Sequence, residues 1–80
     1  MTIIELKEAL RKRGVSDSDY SLDGGLPNET HCIAKKNNYW EVYYSERGQK
    51  SCYKKFKTES EACEYFYNWL VSVLEQMKLI

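Results

Sequence analysis

Apolar positions near the start of the chain recur at helical spacing. Ile3, Leu6 and Leu10 fall on one stripe, with Lys7, Glu8, Arg11 and Lys12 on the other faces. Thr2 and Glu5 have the spacing of a capping box, Thr2 as N-cap and Glu5 reaching back to it. Arg11, Lys12 and Arg13 sit where the helix dipole favours cations, and Gly14 follows as the stop. These signals predict a short amphipathic helix.

The pattern then changes. Residues 16–29, SDSDYSLDGGLPNE, are dense in turn formers and hold the only proline, Pro27; Tyr20-Ser21-Leu22 is long enough for a brief strand. Thr30 to Lys36 and Tyr39 to Ser45 are β-prone runs separated by Asn37-Asn38, which predicts a hairpin whose turn uses the tolerance of Asn for positive φ. Glu46-Arg47-Gly48-Gln49 reads as a second turn and Lys50 to Lys57 as a further strand. Period-two alternation puts Trp40, Val42 and Tyr44 on one face, with Tyr39, Glu41 and Tyr43 on the other. A second capping box at Thr58 and Glu61 opens the longest element, from about Glu59 to Met77. Its apolar face runs through Ala62, Phe66, Trp69 or Leu70, Val73 and Met77, widened by Cys63 and Leu74.

The order of elements predicts a single α+β domain over residues 1–80. We expect a two-layer sandwich: an N-terminal helix, a three- to four-stranded antiparallel sheet and a long C-terminal helix, both helices on one sheet face. Leu10, Trp40, Val42, Phe66, Trp69, Leu70 and Val73 are the expected core. The other sheet face is expected to be bare to solvent or to a partner.

Composition narrows the function. At 80 residues the chain buries only roughly 60–65% of the surface its unfolded form exposes, which leaves little material for a roofed active-site cleft. Seven tyrosines and two tryptophans suit a compact core, and they are also the side chains that anchor interfaces. Twelve basic and twelve acidic residues cancel, whereas nucleic-acid-binding domains are usually clearly basic. The charge is uneven. Asp17, Asp19, Asp23 and Glu29 lie in a segment without Lys or Arg, and Lys50, Lys54, Lys55 and Lys57 follow in a basic one. The N-terminal segment lacks the apolar run of a signal peptide, and no stretch approaches a membrane span. Cys32, Cys52 and Cys63 are odd in number and widely spaced, so reduced thiols in a cytoplasm are the expectation.

Catalytic constellations are missing. His31 is the only histidine, and with three scattered cysteines it matches no zinc spacing. Cys32 and His31 are strand neighbours, so they point to opposite faces and cannot act as a pair. Gly24-Gly25 precedes neither a Lys-Ser/Thr nor a helix, as a phosphate loop requires. The expectation is a protein that is not an enzyme and needs no cofactor, metal or small-molecule substrate.

Helix, strands, helix is also the chain order of double-stranded-RNA-binding domains. In those, lysines at the start of the second helix meet phosphates; here Glu59, Glu61 and Glu64 stand there. The alternative to a protein partner is a single-strand nucleic-acid binder using Tyr39, Tyr43 and Tyr53 on a basic sheet as stacking platforms.

Tyr20-Ser21-Leu22, the run from Gly24 to Glu29, the run from Trp40 to Gly48, and Glu61-Ala62-Cys63 leading into Tyr65-Phe66-Tyr67 together resemble a family of small bacterial immunity proteins, immunity protein 59. The likeness spans Tyr20 to Leu70. It implies a cytoplasmic antidote that binds one cognate toxin domain, a nuclease being one candidate, and blocks it without chemistry of its own. The residues expected to face that partner are Asp17, Asp19, Asp23, Asn28, Glu29, an exposed Tyr43, and the Glu46-Arg47 turn. An acidic loop would suit a toxin with a basic cleft.

Overall fold

The computed structural model describes residues 1–80. The chain forms α1 (Ile3–Lys12), a single 3-10 turn (Asp17–Asp19), β1 (Tyr20–Ser21), β2 (Thr30–Lys35), β3 (Trp40–Glu46), β4 (Gln49–Phe56) and α2 (Glu59–Gln76). The four strands make one sheet in chain order. Pairing of β2, β3 and β4 is antiparallel as expected, while the two-residue β1 runs parallel to β2, so the sheet is mixed.

Local chemistry accounts for the helix ends. The Thr2 hydroxyl accepts the Glu5 N–H and the Glu5 carboxylate accepts the Thr2 N–H, closing a full capping box. At α2, Thr58 accepts the Glu61 N–H, but the Glu61 carboxylate takes the Thr58 hydroxyl instead of its backbone, so that box is half made. Both helices end in Schellman motifs. Gly14 donates to Arg11 and Val15 to Leu10; Lys78 donates to Glu75 and Leu79 to Leu74. The first puts glycine in the left-handed position, the second puts Lys78 there at φ 59°.

Both helices cover one sheet face. Leu6 and Leu10 of α1, Ile33 and Val42 of the sheet, and Ala62, Cys63, Phe66, Leu70, Val71 and Leu74 of α2 form one buried cluster. The helices run side by side in the same direction. Glu59 accepts the Ile3 N–H at one end, and Arg13 pairs with Glu75 at the other. Four of the seven expected core residues, Leu10, Val42, Phe66 and Leu70, are fully buried; Trp40 and Trp69 are half-buried against the cluster's edge, and Val73 is half-buried. Met77, expected on the apolar face, is exposed, because α2 stops at Gln76 and the chain turns at Lys78.

The second sheet face is not bare. Cys32, Ala34, Glu41, Tyr43 and Ser45 point to it, and all five are buried. The connection 22–29 folds back over it. Gly24 packs so closely that a Cβ there would lie 2.8 Å from that of Ala34, and the Tyr43 hydroxyl donates to the Gly25 carbonyl at 2.6 Å. Ser21 donates to the Gly24 carbonyl, and Asn28 accepts the Arg47 N–H. The connection therefore acts as a strap across the sheet.

The two hairpins differ. Arg47 and Gly48 both have positive φ, the signature of a two-residue type I′ turn, as Glu46–Gln49 predicts. Between β2 and β3 neither Asn37 nor Asn38 has positive φ; Lys36 donates its N–H to the Tyr39 carbonyl and closes a longer loop. A β-bulge interrupts the pairing of β3 with β4, where Cys52 takes φ 55°. Its extra residue shifts the alternation of β4, so Lys50 and Tyr53 reach the same face although they are three positions apart.

Candidate functional site

The structure divides the expected partner-facing residues into four groups. Asp17 accepts the Tyr20 hydroxyl at 3.1 Å, and with Asp23 it borders a shallow hollow beside Lys7. Asn28 ties the strap to the β3–β4 turn, where Glu46 and Arg47 are exposed. Asp19 and Glu29 come together across a different feature, a groove on the helix side. Tyr43, expected to be exposed, is 1% accessible. Its ring is stacked on Tyr53, its hydroxyl is bound to the strap, and burial pushes that hydroxyl's pKa up to about 12. It is a structural residue.

The groove encloses about 360 Å³ between the C-terminal half of α2 and the end of the sheet where β2 begins. Leu70, Val73 and Leu74 supply an apolar floor. Three rings form its aromatic side: His31 lies edge-on to Tyr44 at 4.9 Å and to Trp69 at 4.6 Å. Met77 and Leu79 line it while remaining 61% exposed each, because the Schellman turn at Lys78 returns the chain toward the groove. Asp19 and Glu29 stand on its rim.

Electrostatically the groove is acidic and unbalanced. No Lys or Arg lines it. Asp19, Glu29 and Glu46 take part in none of the salt bridges of the molecule, which join Met1 to Glu64, Arg13 to Glu75, and Lys36 and Lys50 to Glu41. Burial raises the Tyr44 hydroxyl pKa, and the Glu46 and Glu29 carboxylates add to that rise. Burial lowers the His31 pKa against a smaller opposing pull from Asp19, so the imidazole is neutral at pH 7. The surface thus combines aromatic and aliphatic walls with carboxylates that form no salt bridge within the chain.

A second polar assembly lies on the strap side. Glu41 is 2% exposed yet ionised. Burial alone would raise its carboxyl pKa, but the Tyr53 hydroxyl (2.6 Å) and the Lys50 ammonium (3.1 Å), with Lys36 at 3.4 Å, hold it below the usual range. Lys50 also lies 4.5 Å from the Tyr43 ring centroid, and Lys55 lies 4.6 Å from that of Tyr39. The lysines of this face are therefore engaged by their own chain. Tyr53 is raised by its bond to Glu41, and the acid has no free base or nucleophile beside it. The buried thiols of Cys32 and Cys63 are pushed up, Cys63 to about 11, away from nucleophilic use. No group of His, Cys, Asp and Glu is arranged to hold a metal ion.

Sequence reasoning missed both assemblies. Trp69, Val73 and Met77 recur at helical spacing and read as core, and nothing local tells that the sheet ends beneath them. His31 read as a lone histidine because its partners lie 13 and 38 positions away. Glu41 read as ordinary strand surface because the bulge that gathers Lys50 and Tyr53 around it has no signature in the sequence. Comparisons with protein-family models, with curated proteins and with solved structures found no match to this chain.

Proposed function

We propose that this protein is the antidote of a toxin–immunity pair, a non-catalytic cytoplasmic protein that binds a cognate toxin domain and blocks its action. One observation carries the reading: an aromatic groove with exposed Met77 and Leu79 is rimmed by Asp19 and Glu29, carboxylates that form no salt bridge within the chain. Small domains leave charges unpaired beside apolar surface where a partner supplies the complement. The partner surface that fits is basic with apolar residues interleaved, as on a toxin that handles an anionic substrate such as nucleic acid. Binding across that surface would bar the substrate.

Relative to the sequence expectation the interface moves. In the proposed interface Asp19 and Glu29 rim the groove and Glu46 acts on it only through its charge near Tyr44, while Asp17 and Asp23 lie apart and Tyr43 supports the fold. The test is co-expression with the protein encoded next to this gene, read as protection of cells from its toxicity. Wild type is expected to protect and to co-purify with it. The folded D19K/E29K/E46K variant should lose protection, with the association rate falling most at low salt, while D17K/D23K should retain it. Full protection by the triple variant would refute the groove as the interface. Failure of the wild type both to protect and to co-purify would refute the antidote reading.

The competing reading, single-strand nucleic-acid binding on the basic sheet face, loses its main platform with Tyr43 buried. Lysines already cover the Tyr39 and Tyr43 rings. RNA binding at physiological salt, abolished by K54E/K55E/K57E, would restore it.

A further inference from the structure

We propose that the groove is an arginine-anchor site, which receives one Arg side chain from a partner segment with aliphatic residues beside it. The inference rests on the reading of the groove as the partner-facing surface, and it names what enters. The floor of Leu70, Val73 and Leu74 suits the methylene stem of a long side chain, which buries its carbons while its head stays near water. Met77 and Leu79, both exposed at the rim, offer flanking apolar contacts. The head group then meets Asp19 and Glu29, with the Tyr44 and Trp69 rings alongside.

Two features select guanidinium over ammonium. A flat, weakly hydrated cation stacks on aromatic rings and bonds carboxylates in pairs, whereas an ammonium keeps its water more tightly. The groove is aromatic on one side and apolar beneath, so desolvation falls on whatever cation enters, and Arg bears it with the smaller loss. His31 completes the fit. It stands between Tyr44 and Trp69 and is uncharged at neutral pH, so the groove offers an incoming cation no repulsion of its own.

The test uses the intact 15N-labelled protein and three peptides: N-acetyl-Leu-Arg-Leu-amide and its Lys and norleucine counterparts. Trp40 and Trp69 give two indole N–H signals, and Trp40 lies at the other end of β3 from Tyr44, so it serves as an internal control. The Arg peptide should shift the Trp69 indole and His31 ring signals saturably and leave Trp40 in place. Norleucine should bind at least about tenfold more weakly, Lys should fall between, and D19N/E29Q should lose roughly tenfold for the Arg peptide, less for Lys and nothing for norleucine.

Equal binding of Arg and norleucine peptides would overturn the anchor, as would no saturable shift at millimolar peptide. A Trp69 shift that grows with protein concentration alone would assign the groove to a second copy, and one driven by a uridine decamer would assign it to nucleic acid; either refutes the proposal. Protection lost in D19K/E29K/E46K with no preference for Arg leaves the antidote reading standing and removes the anchor. Preference for Arg with protection untouched by that variant keeps the anchor and removes the groove as the toxin interface.

Discussion

Glu41 offers the sharpest test of how the strap-side face is held. The perturbation is Glu41→Gln, which keeps the shape and removes the charge. At 2% exposure the carboxylate is nearly dry, and it takes the Tyr53 hydroxyl at 2.6 Å and the Lys50 ammonium at 3.1 Å. Hydrogen bonds to a charged group are worth about 1.5–3 kcal/mol each, which sets the scale. The full cost of breaking a buried ion pair does not apply, because the Lys36 and Lys50 side chains are 45% and 36% exposed and can turn to water. The expected loss is about 2 kcal/mol. For a domain of this size that lowers the melting temperature by roughly 8–16 °C. Glu41→Leu should cost less than Glu41→Gln, since it leaves no buried polar group unmatched and the Tyr53 hydroxyl, on a residue 42% exposed, can bond water. The pH dependence has a fixed sign. The Glu41 carboxyl is held below its ordinary value of 4.5, so its contribution is complete above that value and is lost as pH falls through the depressed folded-state pKa. Urea denaturation of wild type and Glu41→Gln from pH 7 to pH 3 should therefore show a gap that is constant above the ordinary value and narrows below it. A Gln variant within about 0.5 kcal/mol of wild type at pH 7, or a gap that stays unchanged to pH 3, would refute the reasoning.

Two further outcomes follow from the strap and the thiols. Gly24→Ala adds a Cβ 2.8 Å from that of Ala34 at φ 74°, whereas Gly48→Ala meets the same kind of backbone strain at φ 75° with nothing within 4 Å. Urea denaturation should find Gly24→Ala costing about 2–3 kcal/mol and Gly48→Ala about 1 kcal/mol, and equal losses would mean that the strap does not press on the sheet. Cys52 is exposed while Cys32 and Cys63 are fully buried with raised pKa values, so a disulfide-exchange reagent should titrate one thiol in the native protein and all three in denaturant. Rapid native reaction of a second thiol would show that one of the two cores opens.

The sequence by itself determined what depends on neighbours a few residues apart. Thr2 with Glu5 and Thr58 with Glu61 start the helices, the spacing of Leu6 with Leu10 and of Phe66 with Leu70 sets their buried stripes, and Arg47-Gly48 turns the second hairpin. Each signal acts within a turn or two of chain, so it survives in any tertiary context. The tertiary structure alone decided the rest. Tyr20-Ser21 reads as a strand, but its parallel partnership with His31-Cys32 depends on a strap that runs back over the sheet. Alternation correctly put Tyr43 and Glu41 opposite Val42, yet it carries no information about what covers that second face, and the covering comes from Gly24 and Gly25. The bulge at Cys52 breaks the period-two rule, so that Lys50 and Tyr53 meet Glu41 together. The groove arises because the end of α2 and the start of β2, far apart in the chain, leave Trp69, His31 and Tyr44 packed only on one side. Charge segregation along the chain pointed to an acidic surface. Which of its carboxylates share that surface depended on where the strap and the 3-10 turn came to rest, and long-range packing sets that position.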